Sequence, residues 1–280
     1  MSGALHELLA TMARLRAPDG CPWDREQTFA TLARYTIEEA YELVDAIERG
    51  DLAHLRDELG DLLLQVVFHA QIASEFGHFD FDAVAASITA KLKRRHPQLF
   101  VELAQSPGGG DARAAIGAAA TASEQLISWE NIKAEERRRA RAASAAVSQL
   151  DDVPRSLPAL MRADKLSKRA ARVGFDFDLA DQAAAKVAEE LAEVGAAARA
   201  NGAASASREV FEEVGDLLFA ATNLARKLGV DAEAALREAN AKFERRFRGM
   251  EALAAARGLV FESLSLDEQE RLWQEMKGRE

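Results

Sequence analysis

Apolar residues recur at every third or fourth position through most of the chain, a spacing that places them along one face of an α-helix. Residues 104–123, which are rich in glycine and alanine, predict a surface loop. No segment shows a convincing strand pattern, so the sequence predicts an all-α fold. The predicted helices cover residues 4–16, 29–49, 52–76, 83–96, 124–149, 158–174, 179–200, 206–228 and 232–256, with a last helix after residue 265.

Residues that favour helix ends agree with these boundaries. Gly50 ends one helix, and Asp51 is suited to cap the N-terminus of the next. Pro158 suits the first turn of a helix, where its missing N–H has no partner to lose. Ser265 and Glu268 have the spacing of a capping box, which predicts the start of the last helix.

The chain contains a tandem repeat, because four sequence blocks occur twice in the same order. The pairs are "EEAYE" at 38–42 with "EELAE" at 189–193, "ELGDLL" at 58–63 with "EVGDLL" at 213–218, "AKLKRR" at 90–95 with "AKFERR" at 241–246, and "WENIK" at 129–133 with "WQEMK" at 273–277. A shared order with small length changes indicates duplication. We therefore predict two related helical-bundle domains, residues 1–149 and 150–280.

The acidic positions of the repeat predict a metal site. Glu190 and Glu193 share one helix face, as do Glu213 and Asp216, because residues three apart are neighbours on a helix. Two facing helices would bring the four carboxylates together, and such a group needs cations to stay ionised. Oxygen ligands of this kind suit Mg²⁺ or Mn²⁺. The alternative is a solvated acidic stripe, since 46 of the 280 residues are acidic.

The first copy has the same four acids, and the sequence leaves open whether they bind metal or support activity. They are Glu39, Glu42, Glu58 and Asp61.

The basic and aromatic blocks predict a phosphate- and base-binding region. Lys242, Arg245 and Arg246 lie on one helical turn and supply donors of the kind that phosphates attract. Trp273 and Lys277 lie one turn apart near the chain end. The tryptophan is either a stacking surface for a nucleobase or a residue that packs the last helix on the core. No GxxxxGK[ST] motif occurs, so a triphosphate would be held by metal and side chains.

Composition narrows the partners and the compartment. A net charge of −10 argues against general nucleic-acid binding, which needs a basic face. The longest apolar run is too short to span a bilayer, and no signal peptide is evident. The single cysteine cannot form an internal disulfide, which favours a reducing cytoplasm. We expect a cytoplasmic protein that binds neither membrane nor nucleic acid.

The sequence resembles the MazG family of nucleoside triphosphate pyrophosphohydrolases. The resemblance rests on the EExxE and ExxD motifs, each present twice, on "CPWDREQT" at 21–28 and on "FERRF" at 243–247. It implies an all-α NTP pyrophosphatase fold, a homodimer and Mg²⁺-dependent hydrolysis of (d)NTPs to the monophosphate and pyrophosphate. The metal ligands it implies are Glu190, Glu193, Glu213 and Asp216, and the nucleotide-binding residues are Lys186, Lys242, Arg245, Arg246, Trp273 and Lys277.

Catalysis in this scheme needs a carboxylate beyond the metal ligands. Glu189 or Glu212 is predicted to orient or deprotonate the water that attacks the α-phosphorus. Two alternatives to this activity are a phosphohydrolase restricted to one nucleotide, such as dUTP or dCTP, and a non-catalytic helical dimer that binds nucleotides or protein partners. The sequence does not reveal the nucleobase preference.

The second copy is predicted to carry most of the activity. Its basic helix continues past Arg246, whereas in the first copy Pro97 disfavours helix at His96 and ends the corresponding helix. Trp129 of the first copy then follows across the glycine- and alanine-rich loop, while Trp273 follows after a shorter connection. Functional groups need rigid support, which the second copy provides better.

Overall fold

The computed structural model describes residues 3–96, 148–201 and 207–279, together with residues 100, 121 and 132. Every regular element in these ranges is helical, which confirms the predicted all-α fold class. The chain divides into two compact units, Met1–Ala140 and Arg141–Glu280, called the first and the second unit below. The domain boundary after residue 149 stays a prediction. The predicted loop 104–123 and helix 124–149 lie almost entirely outside the described residues.

The first unit is built around a long helical hairpin. Its helices are α1 (Gly3–Leu15), α2 (Pro22–Glu26), α3 (Phe29–Arg49), α4 (Leu52–Glu75) and α5 (Phe81–Arg95). Helices α3 and α4 pack along each other, and α1 and α5 pack on α4. The buried core of this unit consists of Met12, Leu32, Val67, Phe68 and Ile72. The hairpin places the repeat's two acidic motifs on adjacent helices.

The second unit repeats this hairpin and adds a C-terminal pair of helices. Its helices are α6 (Ala159–Ala171), α7 (Ala180–Asn201), α8 (Arg208–Lys227), α9 (Ala232–Ala256) and α10 (Leu266–Lys277), with a 3₁₀ turn at Phe261–Ser263. Helices α7 and α8 form the hairpin, and α6 packs on α8. Helices α9 and α10 enclose a buried cluster of Met250, Ala254 and Leu272. No helix in the described ranges is long and apolar enough to cross a membrane.

The observed helix ends agree with the predicted capping residues. Gly50 adopts a left-handed conformation with φ of 68°, and the Asp51 carboxylate accepts hydrogen bonds from the first N–H groups of α4. Ser265 and Glu268 form the predicted capping box of α10. Pro158 is the N-cap residue of α6 and does not lie in its first turn. Helix α2 and the 3₁₀ turn were not predicted, because five and three residues are too few for a periodic pattern.

A buried arginine connects α2 and α4 of the first unit through hydrogen bonds. The Arg16 guanidinium donates to both carboxylate oxygens of Glu75 at 2.7 Å and also to the backbone oxygen of Asp24. It lies over the ring of Phe68, with 5.4 Å between the guanidinium carbon and the ring centroid. The Arg16 side chain is 6% exposed and that of Glu75 is 33% exposed. The hydrogen bonds from Arg16 hold the pKa of Glu75 below its usual range.

We expect Glu75→Gln to lower the free energy of unfolding by about 1–2 kcal/mol at neutral pH, since it leaves a buried guanidinium without its bidentate partner. A lowered folded-state pKa means that this stabilisation is present above the ordinary glutamate pKa and is lost as pH falls through the folded-state value. Urea denaturation at several pH values measures both effects. The matched control is Asp19→Asn, which removes the exposed ion pair with Arg14 and is expected to cost less than about 0.5 kcal/mol. Equal losses in both variants would contradict the prediction.

Candidate metal centre and nucleotide-binding residues

Three of the predicted metal-binding carboxylates of the second unit lie together. Glu190 and Glu193 on α7 and Glu213 on α8 each offer an oxygen atom, and these atoms lie within 4.8 Å of one another. The E-x-x-E spacing places the first two on one face of α7, and hairpin packing brings α8 alongside. Asp216 lies one turn further along α8, is exposed and is not part of this group.

The environment of Glu193 within this group disfavours its ionised form. Glu190 is only 5% exposed. The pKa of Glu193 is raised by partial desolvation beside its neighbours, by its hydrogen bond with Glu190 and by the negative charges of Glu190 and Glu213. A positive charge at this place would relieve the repulsion and favour the ionised carboxylates. The donor set therefore fits a hard divalent cation.

Lys186 already supplies one positive charge at the edge of this group. Its Nζ atom lies 2.7 Å from Oε1 of Glu190 and 2.8 Å from Oε1 of Glu189. These hydrogen bonds and charges raise the pKa of Lys186 above its usual range, so the amine stays protonated. The residue was predicted from the family resemblance to bind nucleotide. The structure places its ammonium group beside the carboxylates, and its role in nucleotide binding stays a prediction.

The first unit contains a second carboxylate trio. Glu39 on α3 and Glu58 and Asp61 on α4 have oxygen atoms within 4.8 Å of one another, and Glu42 lies outside the group. Glu58 is 6% exposed, and its buried Oε2 atom has no hydrogen-bond partner among the described residues. Burial raises the pKa of Glu39, and so do the charges of Asp61, Glu42 and Glu58. These residues also fit a divalent cation.

The two trios share two positions of the repeat and differ in the third. Glu39 corresponds to Glu190 and Glu58 corresponds to Glu213, so both units share these two positions. The third oxygen comes from α7 in the second unit and from α4 in the first. The two sites therefore offer the same number of oxygens from different helices.

The predicted base-binding region is an aromatic cluster at the end of the second unit. The Trp273 ring lies 5.4 Å from the ring of Phe243 by centroids, and the Arg246 guanidinium carbon lies 5.5 Å from the Trp273 centroid. Trp273 also packs against the cluster around Met250 and Leu272, so it helps to hold α10 on α9. Phe243 is 57% exposed and was not predicted as a site residue. Its place inside the "FERRF" block was the available signal.

The remaining predicted residues lie at the surface, and their roles stay predictions. Lys242, Arg245 and Lys277 are exposed. The two candidate bases are both ion-paired: Oε1 of Glu189 lies 2.8 Å from Nζ of Lys186, and Oε1 of Glu212 lies 2.8 Å from Nε of Arg208. Each ion pair fixes the orientation of its carboxylate.

Comparison with known proteins decides the family. The first unit matches the model of the MazG nucleotide pyrophosphohydrolase domain over residues 27–100, and the second unit matches the phosphoribosyl-ATP pyrophosphohydrolase model over residues 157–243. The nucleoside triphosphate pyrophosphohydrolase of Escherichia coli K12 is 52% identical over 277 residues, which cover 99% of this chain and 98% of that protein. The chain belongs to the MazG family of nucleoside triphosphate pyrophosphohydrolases.

Other relatives agree with this assignment to the MazG family. The nucleoside triphosphate pyrophosphohydrolase/pyrophosphatase MazG of Thermotoga maritima is 40% identical over 272 residues, which cover 97% of this chain and 95% of that protein. A nucleoside triphosphate pyrophosphohydrolase of Mycolicibacterium smegmatis is 38% identical over 177 residues, 62% of this chain and 48% of that protein. The predicted family and its two pyrophosphohydrolase domains are thus confirmed.

Proposed function

We propose that this MazG enzyme hydrolyses (deoxy)nucleoside triphosphates to the monophosphate and pyrophosphate, with Mg²⁺ or Mn²⁺ bound in the second unit. The observation that carries the proposal is the carboxylate trio of Glu190, Glu193 and Glu213, whose oxygens lie within 4.8 Å of one another. Repulsion in this trio favours a bound cation. The same proposal places the enzyme in the cytoplasm, where nucleoside triphosphates are used and where a single cysteine stays reduced.

The chain's own residues would bind and orient the substrate. A divalent cation supplies charge neutralisation at the phosphates and activation of water when it is bound. Lys186 and Arg246 contribute positive charge for the phosphates, and Trp273 offers a ring face to the base. Glu189 or Glu212 orients or deprotonates the water. The water oxygen bonds to the α-phosphorus, the bond to the bridging oxygen breaks, and pyrophosphate leaves with that oxygen.

We expect the purified chain to release pyrophosphate from several (d)NTPs in the presence of Mg²⁺ and to lose this activity when EDTA is added. Pyrophosphate and monophosphate should appear in equal amounts, because one bond is cleaved. A coupled pyrophosphate assay over the full (d)NTP panel measures this. Turnover of a single nucleotide, such as dUTP or dCTP, would favour the restricted phosphohydrolase. Binding without turnover would favour the non-catalytic dimer.

An exposed apolar stripe supports a homodimer as part of the proposal. Val214 and Leu218 lie four residues apart on α8 and are both exposed. Leu59 and Leu63 occupy the corresponding positions on α4 and are exposed as well. Helical hairpins commonly bury such a stripe against a second hairpin in a four-helix core. A second copy of the chain can provide that hairpin.

We expect light scattering to give about twice the chain mass of 30.5 kDa. Introducing a charge with Leu218→Glu should shift the protein toward the monomer, because a charged side chain cannot be buried unpaired in an apolar interface. Arg248→Glu, an exposed substitution on α9, is the matched control and should leave the mass unchanged. A particle of 30.5 kDa for the unaltered chain would overturn the proposed dimer.

A further inference from the structure

A partly buried ion-pair cluster joins the start of α7 to the end of α8 in the second unit. The Asp176 carboxylate, in the segment before α7, accepts a hydrogen bond from the Arg226 guanidinium and another, at 3.3 Å, from Nζ of Lys227. Lys227 also donates to the backbone oxygen of Phe177 at 2.6 Å, and Arg226 donates to the Asn223 side chain at 2.8 Å. The side chains of Asp176, Arg226 and Lys227 are 22%, 11% and 17% exposed. The cluster therefore fastens together the two ends of the hairpin.

The charges of this cluster favour one arrangement of the groups they join. Burial alone would raise the pKa of Asp176, but the hydrogen bonds and charges of Arg226 and Lys227 lower it overall, so the carboxylate is ionised at neutral pH. An intact buried ion pair adds little net stability, because the cost of removing charges from water offsets their attraction. Its directional hydrogen bonds instead specify where the two helix ends lie relative to each other.

The first unit has an ion pair at the same place in its hairpin, with the charges exchanged. There the acid, Glu75, is the last residue of α4, and the base, Arg16, donates to it and to the backbone oxygens of Asp24 and Gln27 just before α3. The two pairs are not matching residues of the repeat, because the ExxD blocks align Glu75 with Val230. Both units thus hold the same two helix ends together through different residues, which indicates that the contact itself is needed.

The hairpin of the second unit packs partly through short side chains, which resist sliding poorly. Ala183 and Ala197 on α7 and Ala220 on α8 are among its buried residues. Helices set their relative position by fitting ridges of side chains into grooves, and ridges made of alanine are shallow. The axial position of α7 against α8 therefore depends more strongly on contacts at the helix ends.

The carboxylate trio depends on that axial position, because its oxygens come from both helices. Glu190 and Glu193 lie on α7, and Glu213 lies on α8. An α-helix rises about 1.5 Å per residue, so Glu213 lies about 20 Å along α8 from Lys227. Because a helix is stiff along its axis, a slide at the helix ends is the same slide at the trio. Ligand sets tolerate a misplacement of only about 0.5 Å.

We infer that Asp176 is a positioning residue for the metal centre of the second unit: its ion pairs with Arg226 and Lys227 fix the register of α7 and α8 at which the three carboxylates meet. The cation at that centre rests on the proposed function. Asp176 contacts neither the cation nor the substrate in this scheme. It acts only through the relative position of the two helices that carry the ligands.

The inference is tested by Mn²⁺ binding in the full chain with the first trio disabled by Glu39→Gln/Glu58→Gln. In that chain Asp176→Asn should weaken Mn²⁺ binding, counted by electron paramagnetic resonance, by about tenfold, the scale on which contacts that orient metal ligands affect affinity. Binding is measured well below the melting temperature of each variant, and circular dichroism verifies that the helices persist. The matched control is Met250→Ala, which lowers the melting temperature by opening the core between α9 and α10, away from the hairpin, and should leave Mn²⁺ affinity unchanged.

The possible outcomes separate the positioning role from the proposed function. Unchanged Mn²⁺ affinity in Asp176→Asn, or an equal loss in Met250→Ala, would overturn the inference alone and leave the metal centre in place. Absence of Mn²⁺ binding before Asp176 is altered would overturn the metal centre and the inference together.

Exchanging the charges provides a second test that keeps the net charge of the cluster. Asp176→Arg alone and Arg226→Glu alone should each weaken Mn²⁺ binding, and the two together, which give the pair the polarity of the first unit, should recover most of the affinity. The Mg²⁺ concentration needed for half-maximal pyrophosphate release should change in the same order. Lys227→Met removes one of the two ion pairs and provides a milder variant if the others do not fold; it should cause a smaller loss of Mn²⁺ affinity. Additive losses in the double variant, or unchanged affinity in Lys227→Met, would refute the positioning role.

Discussion

Replacing Glu193 with glutamine should reduce Mg²⁺-dependent pyrophosphate release by at least about a hundredfold, because the trio loses one of its three cation-binding oxygens. Glu193 is a cleaner target than Glu190, which is buried and ion-paired with Lys186. Removing Glu190 would leave the lysine with one partner fewer and confound the result. A steady-state pyrophosphate assay at saturating Mg²⁺ measures the loss.

The same substitution should leave the fold intact and slightly stabilise the metal-free protein. The raised pKa of Glu193 means that its neighbours disfavour the ionised form, so a neutral amide removes repulsion above the ordinary glutamate pKa. Thermal unfolding in EDTA should give an unchanged or higher midpoint. This outcome separates loss of a ligand from loss of structure.

Two further variants, a control and a test of the fourth predicted ligand, examine the assignment of the metal ligands. Glu238→Gln removes an exposed carboxylate from α9 and should keep the full rate. Asp216→Asn tests the fourth predicted ligand, which lies outside the trio in this structure, and should also abolish turnover if a bound substrate or cation draws it in. Unaltered rates in Glu193→Gln would refute the proposed metal site, and unaltered rates in Asp216→Asn would remove that residue from it.

The second large effect is expected when the two copies are disabled separately. Glu190→Gln/Glu193→Gln should lose nearly all hydrolysis, whereas Glu39→Gln/Glu42→Gln should retain most of it. Since Glu42 lies outside the first trio, Glu39→Gln/Glu58→Gln is the stricter version of the second variant. Hydrolysis rates of the double variants of each copy, measured with Mg²⁺ and the same nucleotide, test this expectation.

The structural reason for this expectation lies in the basic helices. Helix α9 continues to Ala256, well past Arg246, and Arg246 lies against Trp273, which is itself packed on the buried cluster of α9 and α10. Helix α5 ends at Arg95, the last residue of the matching basic turn. A phosphate-binding group in the middle of a supported helix is held more precisely than one at a helix end.

Other outcomes of the same comparison are equally informative. Loss of activity only in Glu39→Gln/Glu58→Gln would reverse the assignment of the active copy. Equal partial losses would mean two working sites. The expected result, hydrolysis by the second unit, would leave the first unit with a mainly structural role or with a weaker or differently selective site.

Much of the fold could be read from local features of the sequence. Helix positions followed from apolar periodicity, and all predicted ends agree with the observed ones within three residues in the described ranges. Asp51 and Ser265 cap helices because their side-chain oxygens reach N–H groups two or three residues ahead, a distance fixed by local geometry. The repeated EExxE and ExxD motifs indicated the family and the two domains for the same reason, since spacing along a helix determines which side chains share a face.

Only the tertiary structure determines which acidic side chains of the two motifs meet across the two helices of a hairpin. The sequence grouped four acids in each copy, and the packing of each hairpin selects three, with Asp216 left out of one trio and Glu42 out of the other.

Two contacts between helices illustrate the same division. Phe243 meets Trp273 only because α10 folds back on α9, and Thr36 meets His69 only because α3 and α4 pack at one particular register. Periodicity determines the neighbours within a helix to within a turn. Contacts between helices depend on their crossing geometry and relative register, which follow from the packing of the whole core and cannot be read from one segment.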